Sequence, residues 1–173
     1  MHASPPCSRY VVQSAASTLD FAAKSSLHPV HGKASALTGF LEASIEGGVL
    51  ALEPAPKMHV EFPIERLTSG NAMQDREMWK LLDSKRNPLI RADLRELRAQ
   101  SGSEFAARGE ITLCGRARVY EGPLIIVCGA DEVTVAGGLK LDIREFGIAP
   151  PRFLMFTVQP VVEVLLHLVA RLA

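Results

Sequence analysis

His28 and His31 flank Pro29 and Val30 in the stretch SSLHPVHGKASALTGF (25–40), and they are the residues whose types and spacing first raise the question of chemistry. Two imidazoles three positions apart could share a metal ion, or the iron of a haem, if a third ligand such as His59 or His167 joined them. Backbone preferences act against that. Pro29 biases His28 toward an extended conformation, and on an extended strand positions three apart face opposite sides. Only a bulge or turn at Pro29 and Val30 would bring the rings together. Three readings stay open: a metal or haem site, the polar end of an internal pocket, or a structural bend.

Other reactive groups form no recognisable constellation. Cys7, Cys114 and Cys128 are odd in number and lack the close pairing that zinc or a redox dithiol requires, so they read as reduced thiols. Ser25, Ser26 and Ser69 lie outside any GxSxG elbow. The glycine pairs in EGG and AGG lack the Lys-Ser/Thr ending of a phosphate loop. Glu61 and Glu65 fall on the polar side of a strand pattern, whereas acid–base work needs carboxylates that converge in a cleft. The chain therefore reads as a non-enzyme with no resident cofactor or metal.

Composition narrows the partners. Lys+Arg and Asp+Glu are 19 each in 173 residues, which leaves no electrostatic footprint for wrapping nucleic acid. No apolar run reaches the ~18 residues of a membrane-spanning helix, and MHASPPCSRY lacks the pattern of a secretory leader, so the expected compartment is the cytoplasm. The length suits one domain over residues 1–173, with residues 1–9 as a flexible N-terminus.

The elements that must position these residues read mainly as strands. Apolar residues alternate at Leu19, Phe21 and Ala23; at Leu41, Ala43 and Ile45; and at Met58, Val60, Phe62 and Ile64. The alternation continues through Ile90, Ala92 and Leu94, through Phe105, Ala107, Gly109, Ile111 and Leu113, and through Val133, Val135, Leu139, Leu141 and Ile143. Turn residues break the runs at EGG, EPAP, QSGS, CGAD and APP, predicting about eight to ten antiparallel strands. One helix, around residues 71–83, interrupts them: Met78, Trp79, Leu81 and Leu82 cluster on one face behind a Ser or Asn cap, and Pro88 forces the exit. Regular strands with few long connections favour a closed barrel, with a two-sheet sandwich as the alternative. A barrel of about eight strands is either filled by side chains or holds one small ligand. Small inward residues, Ala23, Ala43, Ala92, Ala107, Gly109 and Gly137, are compatible with both outcomes.

An ordered series of short motifs then carries a family resemblance. RLTSGNAMQDREMWKLLDSKRNPLI contains Gly70, Asn71, Asp75 and Arg76 ahead of a short helix and a proline. ARGEITLCGRAR supplies Gly109, Thr112, Leu113, Gly115 and Arg118, and LDIREFGIAPP supplies Arg144, Phe146 and Gly147. With Tyr10 and the Gly39-Phe40 pair, these make the chain from Tyr10 to Ala170 resemble the YceI family of lipocalin-like, polyisoprenoid-binding proteins. Members of that family are often exported, and Cys114 stands where many have a polar residue or histidine.

The resemblance implies an all-β, lipocalin-like antiparallel barrel with the helix near one mouth. It also implies a tunnel-like apolar pocket for a long isoprenoid, an isoprenoid quinone or a fatty-acyl amphiphile. Strand facing and helix position nominate the lining: Phe21, Val60, Phe62, Ile90, Phe105 and Ile111, then Val135, Leu139 and Phe146, with Met78, Trp79 and Leu82 from the helix. His28 and His31 are candidates for its polar end. Asp75 with Arg76, and Arg144 before Phe146, are expected to anchor the helix and the late turn. The last strand is apolar on both faces, which makes a homodimer plausible. The competing function is a packed barrel serving as a partner-binding or stress-response accessory protein, or a haem or metal module using His28 and His31.

Overall fold

The computed structural model describes residues 6–153 and 156–173. In chain order the strands are β1 (Ser8–Val12), β2 (Thr18–Ser25), β3 (Val30–Ala34), β4 (Thr38–Ala43), β5 (Ile45–Glu46), β6 (Val49–Leu50), β7 (Lys57–Pro63) and β8 (Leu67–Thr68). After helix α1 (Ala72–Leu81) come β9 (Leu89–Ser101), β10 (Glu104–Leu113), β11 (Arg116–Cys128), β12 (Glu132–Asp142), β13 (Arg152–Phe153) and β14 (Phe156–Leu172).

These strands close an eight-stave antiparallel barrel. Three staves are bent composites: β1 continues into β2, β3 into β4, and β7 into β8. The first and third bends are 3₁₀ turns, at Ser14–Ala16 and Ile64–Arg66. β4 pairs with β1 while β3 pairs with β2, and β7 pairs with β4 while β8 pairs with β3. From β7 the wall runs through β9, β10, β11 and β12 to β14. β14 closes the circle against both halves of the first stave, through Tyr10↔Leu172 and, further up, Leu19↔Leu166.

Ser8 and Arg9 correct the expected boundary of a flexible N-terminus, because both belong to β1. Strand β1 is held between two neighbours, and Arg9 bonds Glu42 at 2.8 Å while its guanidinium lies over the Phe40 ring. Residues 1–5 lie outside the described residues.

Local chemistry explains the punctuation. The hairpin from β10 to β11 turns on Cys114 and Gly115 alone, both with positive φ (56° and 73°), between the paired Leu113 and Arg116. A two-residue turn with both φ positive matches the twist of the flanking strands, and glycine takes that conformation without strain. Helix α1 starts where the Asn71 side chain accepts from the backbone N–H groups of Met73 and Gln74, at 3.0 and 3.1 Å. Asp75, buried in the first turn, accepts from both the N–H and the Oγ–H of Ser69 at 2.7 Å, tying the helix to the strand before it. The Trp79 indole donates to the Leu67 carbonyl at 2.8 Å and pins the far side to β8.

The barrel is filled unevenly. At the end where β1 begins and β14 finishes, Tyr10, Leu41, Leu50, Phe105, Ile126, Val133 and Leu168 pack into a continuous core. At the opposite end, beneath α1, the interior is open.

Candidate functional site

The open half contains a cavity of about 330 Å³. Its wall is built from the inward residues of alternating strands: Leu19, Phe21 and Ala23 on β2, Met58, Val60 and Phe62 on β7, and Ile90, Ala92 and Leu94 on β9. Ala107, Gly109 and Ile111 continue it on β10, Val135, Gly137 and Leu139 on β12, and Val162, Val164 and Leu166 on β14. Met78, Leu81 and Leu82 close it from the helix side. β1 and β4 contribute no lining residue, because their inward side chains belong to the packed end.

Five of the six small inward residues border the cavity; Ala43 is in the packed end. The space exists because small residues face it at mid-height: Ala92 lies directly between Val60 and Ile111 on neighbouring strands. Gly32 on β3 sets the shape of one wall, since a Cβ there would overlap the Phe21 ring.

Among the nominated lining residues, Phe21, Val60, Phe62, Met78, Leu82, Ile90, Ile111, Val135 and Leu139 border the cavity. Three do not. Trp79 turns sideways, because its N–H finds a partner in the Leu67 carbonyl rather than in the apolar interior. Phe105 sits opposite Leu124 at the packed end. Phe146 is buried in the core without bordering the cavity, stacked on Tyr120 with ring centroids 6.2 Å apart.

His28 and His31 are exposed and neither borders the cavity, which corrects their reading as its polar end. His31 alternates with Val30, the β3 residue that borders the cavity. The bend is made before Pro29: Ser25 Oγ accepts from the N–H groups of Leu27 and His28 at 3.2 and 3.0 Å, and Gly32 lies within β3 rather than in the turn. His59, the suggested third ligand, faces out between Asp93 (2.6 Å) and Glu61 (3.3 Å). Among the described residues, no three His, Cys, Asp or Glu side chains converge as a metal would need.

Of the motif residues, Gly70 precedes the helix cap with φ +86°, and Gly147 ends the late 3₁₀ turn with φ +75°. Of the two residues expected to anchor α1, Asp75 does so through Ser69, while Arg76 is exposed. Arg144 holds the late turn as expected, through a forked bond to Asp142 that keeps that carboxyl below its ordinary range.

Sequence reasoning passed over Val30, Tyr120, Leu124 and the β14 residues. The β14 alternation was legible, but its two apolar faces hid which one turned inward. Tyr120 is the polar exception in the wall. Burial first, and then its bond to Glu145, raise its phenol above its ordinary value, so the hydroxyl stays protonated and donates.

The polar residues at the cavity edge are Ser69, Gln74, Arg91, Asp93, Glu121 and Gln159. Arg91 is the one cation among the described lining residues; its side chain is half exposed and lies 3.6 Å from Glu61 on the outer surface. Asp93 is taken by His59 on the outer face and Glu121 is exposed, so the uncharged hydrogen-bonding groups at the rim are Ser69, Gln74 and Gln159, with no inward cation among the described lining residues.

A closed eight-stranded antiparallel barrel with one end packed and an apolar cavity at the other defines a lipocalin-like architecture. The family model described as a YceI-like domain matches residues 10–170, and the chain belongs to that family. Its fold is similar to the crystal structure of BcnA from Burkholderia cenocepacia (TM-score 0.77, 17% identity, 91% of this chain and 98% of that one). It is likewise similar to a polyisoprenoid binding domain from Saccharophagus degradans implicated in plant cell wall breakdown (TM-score 0.74, 12% identity, 95% and 98% covered). The Campylobacter jejuni YceI protein is a third structural relative (TM-score 0.66, 12% identity, 82% and 84% covered). No curated protein matches the chain in sequence.

Proposed function

We propose that the barrel binds one long apolar ligand with an uncharged polar end, a polyisoprenoid or isoprenoid quinone in preference to a fatty-acyl carboxylate. The role would be transport, storage or sequestration rather than catalysis. The cavity beneath α1 carries this reading: its apolar wall gains about 0.8 kcal/mol for each methylene removed from water. Membership of the YceI-like family and the fold shared with a polyisoprenoid binding domain support the class of ligand. The uncharged end follows from the rim, where Ser69, Gln74 and Gln159 offer hydrogen bonds. A carboxylate drawn in from water would meet no inward cation among the described lining residues, and a buried charge without a partner is strongly disfavoured.

The test is titration of the purified protein with all-trans-retinol, a neutral isoprenoid whose fluorescence rises in apolar surroundings, beside retinoic acid, the same skeleton with a carboxylate end. Saturable binding with retinol at least about tenfold tighter supports the reading. Equal or tighter binding of the acid would remove the uncharged-end argument, and failure of both would remove the cavity as a ligand site. Solvent extraction and mass spectrometry of protein purified from cells would identify the natural ligand.

A further inference from the structure

The late turn holding Arg144, Phe146 and Gly147 supplies none of those three residues to the cavity wall, yet it sits where the barrel is incomplete. β11 pairs with β10 from Arg116 to Ile125, but with β12 only from Leu124 to Cys128. Beyond Gly137, β12 pairs with β14 alone. The β11–β12 ladder therefore ends at the Leu124↔Gly137 pair; Gly122 still lies against Gly138, and beyond it the two strands share no ladder bonds, which leaves a notch toward the open mouth. Tyr120, Gly122 and Pro123 on one lip, and Gly138, Leu139 and Leu141 on the other, border the cavity. Pro123 brings no N–H to a ladder, and glycine is a weak strand former, so the sequence at the crotch favours parting.

The 3₁₀ turn Ile143–Phe146 crosses this notch and touches both β11 and β14. Its backbone bonds beyond the turn close on itself, from Gly147 to Arg144 and from Ile148 to Ile143. Its hold on β11 runs through side chains: the Phe146–Tyr120 stack, the Tyr120 hydroxyl donating to Glu145 at 2.6 Å, and the Arg116 guanidinium lying against Gly147. Helix α1, by contrast, is tied down by its cap, by Asp75 and by Trp79. The late turn makes no backbone hydrogen bond to β11 among the described residues, so its closure over the notch depends on its side-chain contacts and on the burial of Ile143, which borders the cavity, and Phe146. Outside the notch, Val119, Ile125, Val161 and Leu165 are exposed, so an apolar path continues from the lumen onto the outer surface.

We propose that the turn Ile143–Phe146 is a strap over a lateral portal between β11 and β12, latched by Tyr120 and Glu145, through which the apolar chain of the ligand enters and leaves. This rests on the cavity's being a ligand site. A cavity of about 330 Å³ lies at the small end of the range that houses a drug-sized molecule, so a chain of many isoprene units would trail out through the same notch onto the outer apolar rim.

The experiment is stopped-flow mixing of the full chain with all-trans-retinol, comparing the wild type with Glu145→Ala. Glu145 is exposed and borders no part of the cavity, so its loss frees the latch without changing the wall. The expected result is that association and release both quicken by about fivefold, as loss of one charge-assisted hydrogen bond allows, with the dissociation constant within about twofold of wild type. Tyr120→Phe, which keeps the ring stack, should quicken both rates in the same direction. Saturable binding with unchanged rates in both variants overturns the portal while leaving the cavity reading intact. Absence of binding by the wild type instead overturns the cavity reading, and hydrogen exchange of 116–123 then decides whether the strap opens: faster exchange in Glu145→Ala supports the opening, and unchanged exchange overturns it.

Discussion

Filling the cavity from within separates an open lumen from a packed one. Ala92 sits at mid-height on β9, between Val60 and Ile111, with all three bordering the space. Ala92→Phe adds six carbons there. If these displace about five ligand carbons, each worth ~0.8 kcal/mol, the loss is ~4 kcal/mol, or roughly a thousandfold in retinol affinity. The melting temperature should hold or rise, because the ring occupies empty apolar space. The companion, Phe105→Ala at the packed end, should do the reverse: a loss of ~3–5 kcal/mol in stability with affinity of the folded fraction changed by less than about twofold. Fluorescence titration and urea unfolding read both quantities. Near-wild-type affinity in a folded Ala92→Phe protein would refute the assignment of the ligand to this cavity. A stability loss of ~1–3 kcal/mol in that variant would show overpacking, hence no room to fill.

The remaining predictions concern the supports of the site. Asp75→Ala should cost about 1–3 kcal/mol in urea unfolding, since it strips both Ser69 donors of their acceptor; a change below about 0.5 kcal/mol would dismiss the carboxylate as the helix anchor. Both tyrosines, Tyr10 chiefly by burial and Tyr120 by burial and Glu145, have phenols raised above the ordinary 10.0. The folded state therefore holds these protons more tightly than the unfolded chain. The resulting stability is complete below about pH 10 and is lost as pH rises above it, so tyrosinate absorbance of the folded protein should appear only above the pH at which free tyrosine titrates. Titration of either tyrosine near pH 10 in the folded protein would contradict this. Exposed Cys7 should react first with a chromogenic disulfide reagent, while Cys114 and Cys128, half-buried with thiols raised by burial, should lag until denaturant is added. Equal rates for all three would count against that burial.

Much of the architecture was written locally. Alternation along Met58–Ile64 and Phe105–Leu113 specified which side chains face in, because a strand turns successive residues to opposite sides. Asn71 capped the helix, and Gly115 with Cys114 set a two-residue hairpin, since caps and tight turns depend on the dihedrals and side chains of a few adjacent residues. The motif series around Gly70, Asp75 and Gly147 carried the family. What alternation could not supply was height along the barrel axis. Phe105 and Ile111 share one face of β10, yet one plugs the packed end and the other lines the cavity, a difference set by which strands bend and where they cross. Trp79 had a lining position by helical spacing, and a carbonyl on another element drew it aside. The parting of β11 from β12 depends on where their hairpin ladder stops, on the pairing of β12 with the distant β14 and on a turn that folds back across the notch. Sequence by itself determined the faces, the turns and the family; only the closed barrel decided where the space is, what surrounds it and where its wall opens, because those are properties of non-local contacts.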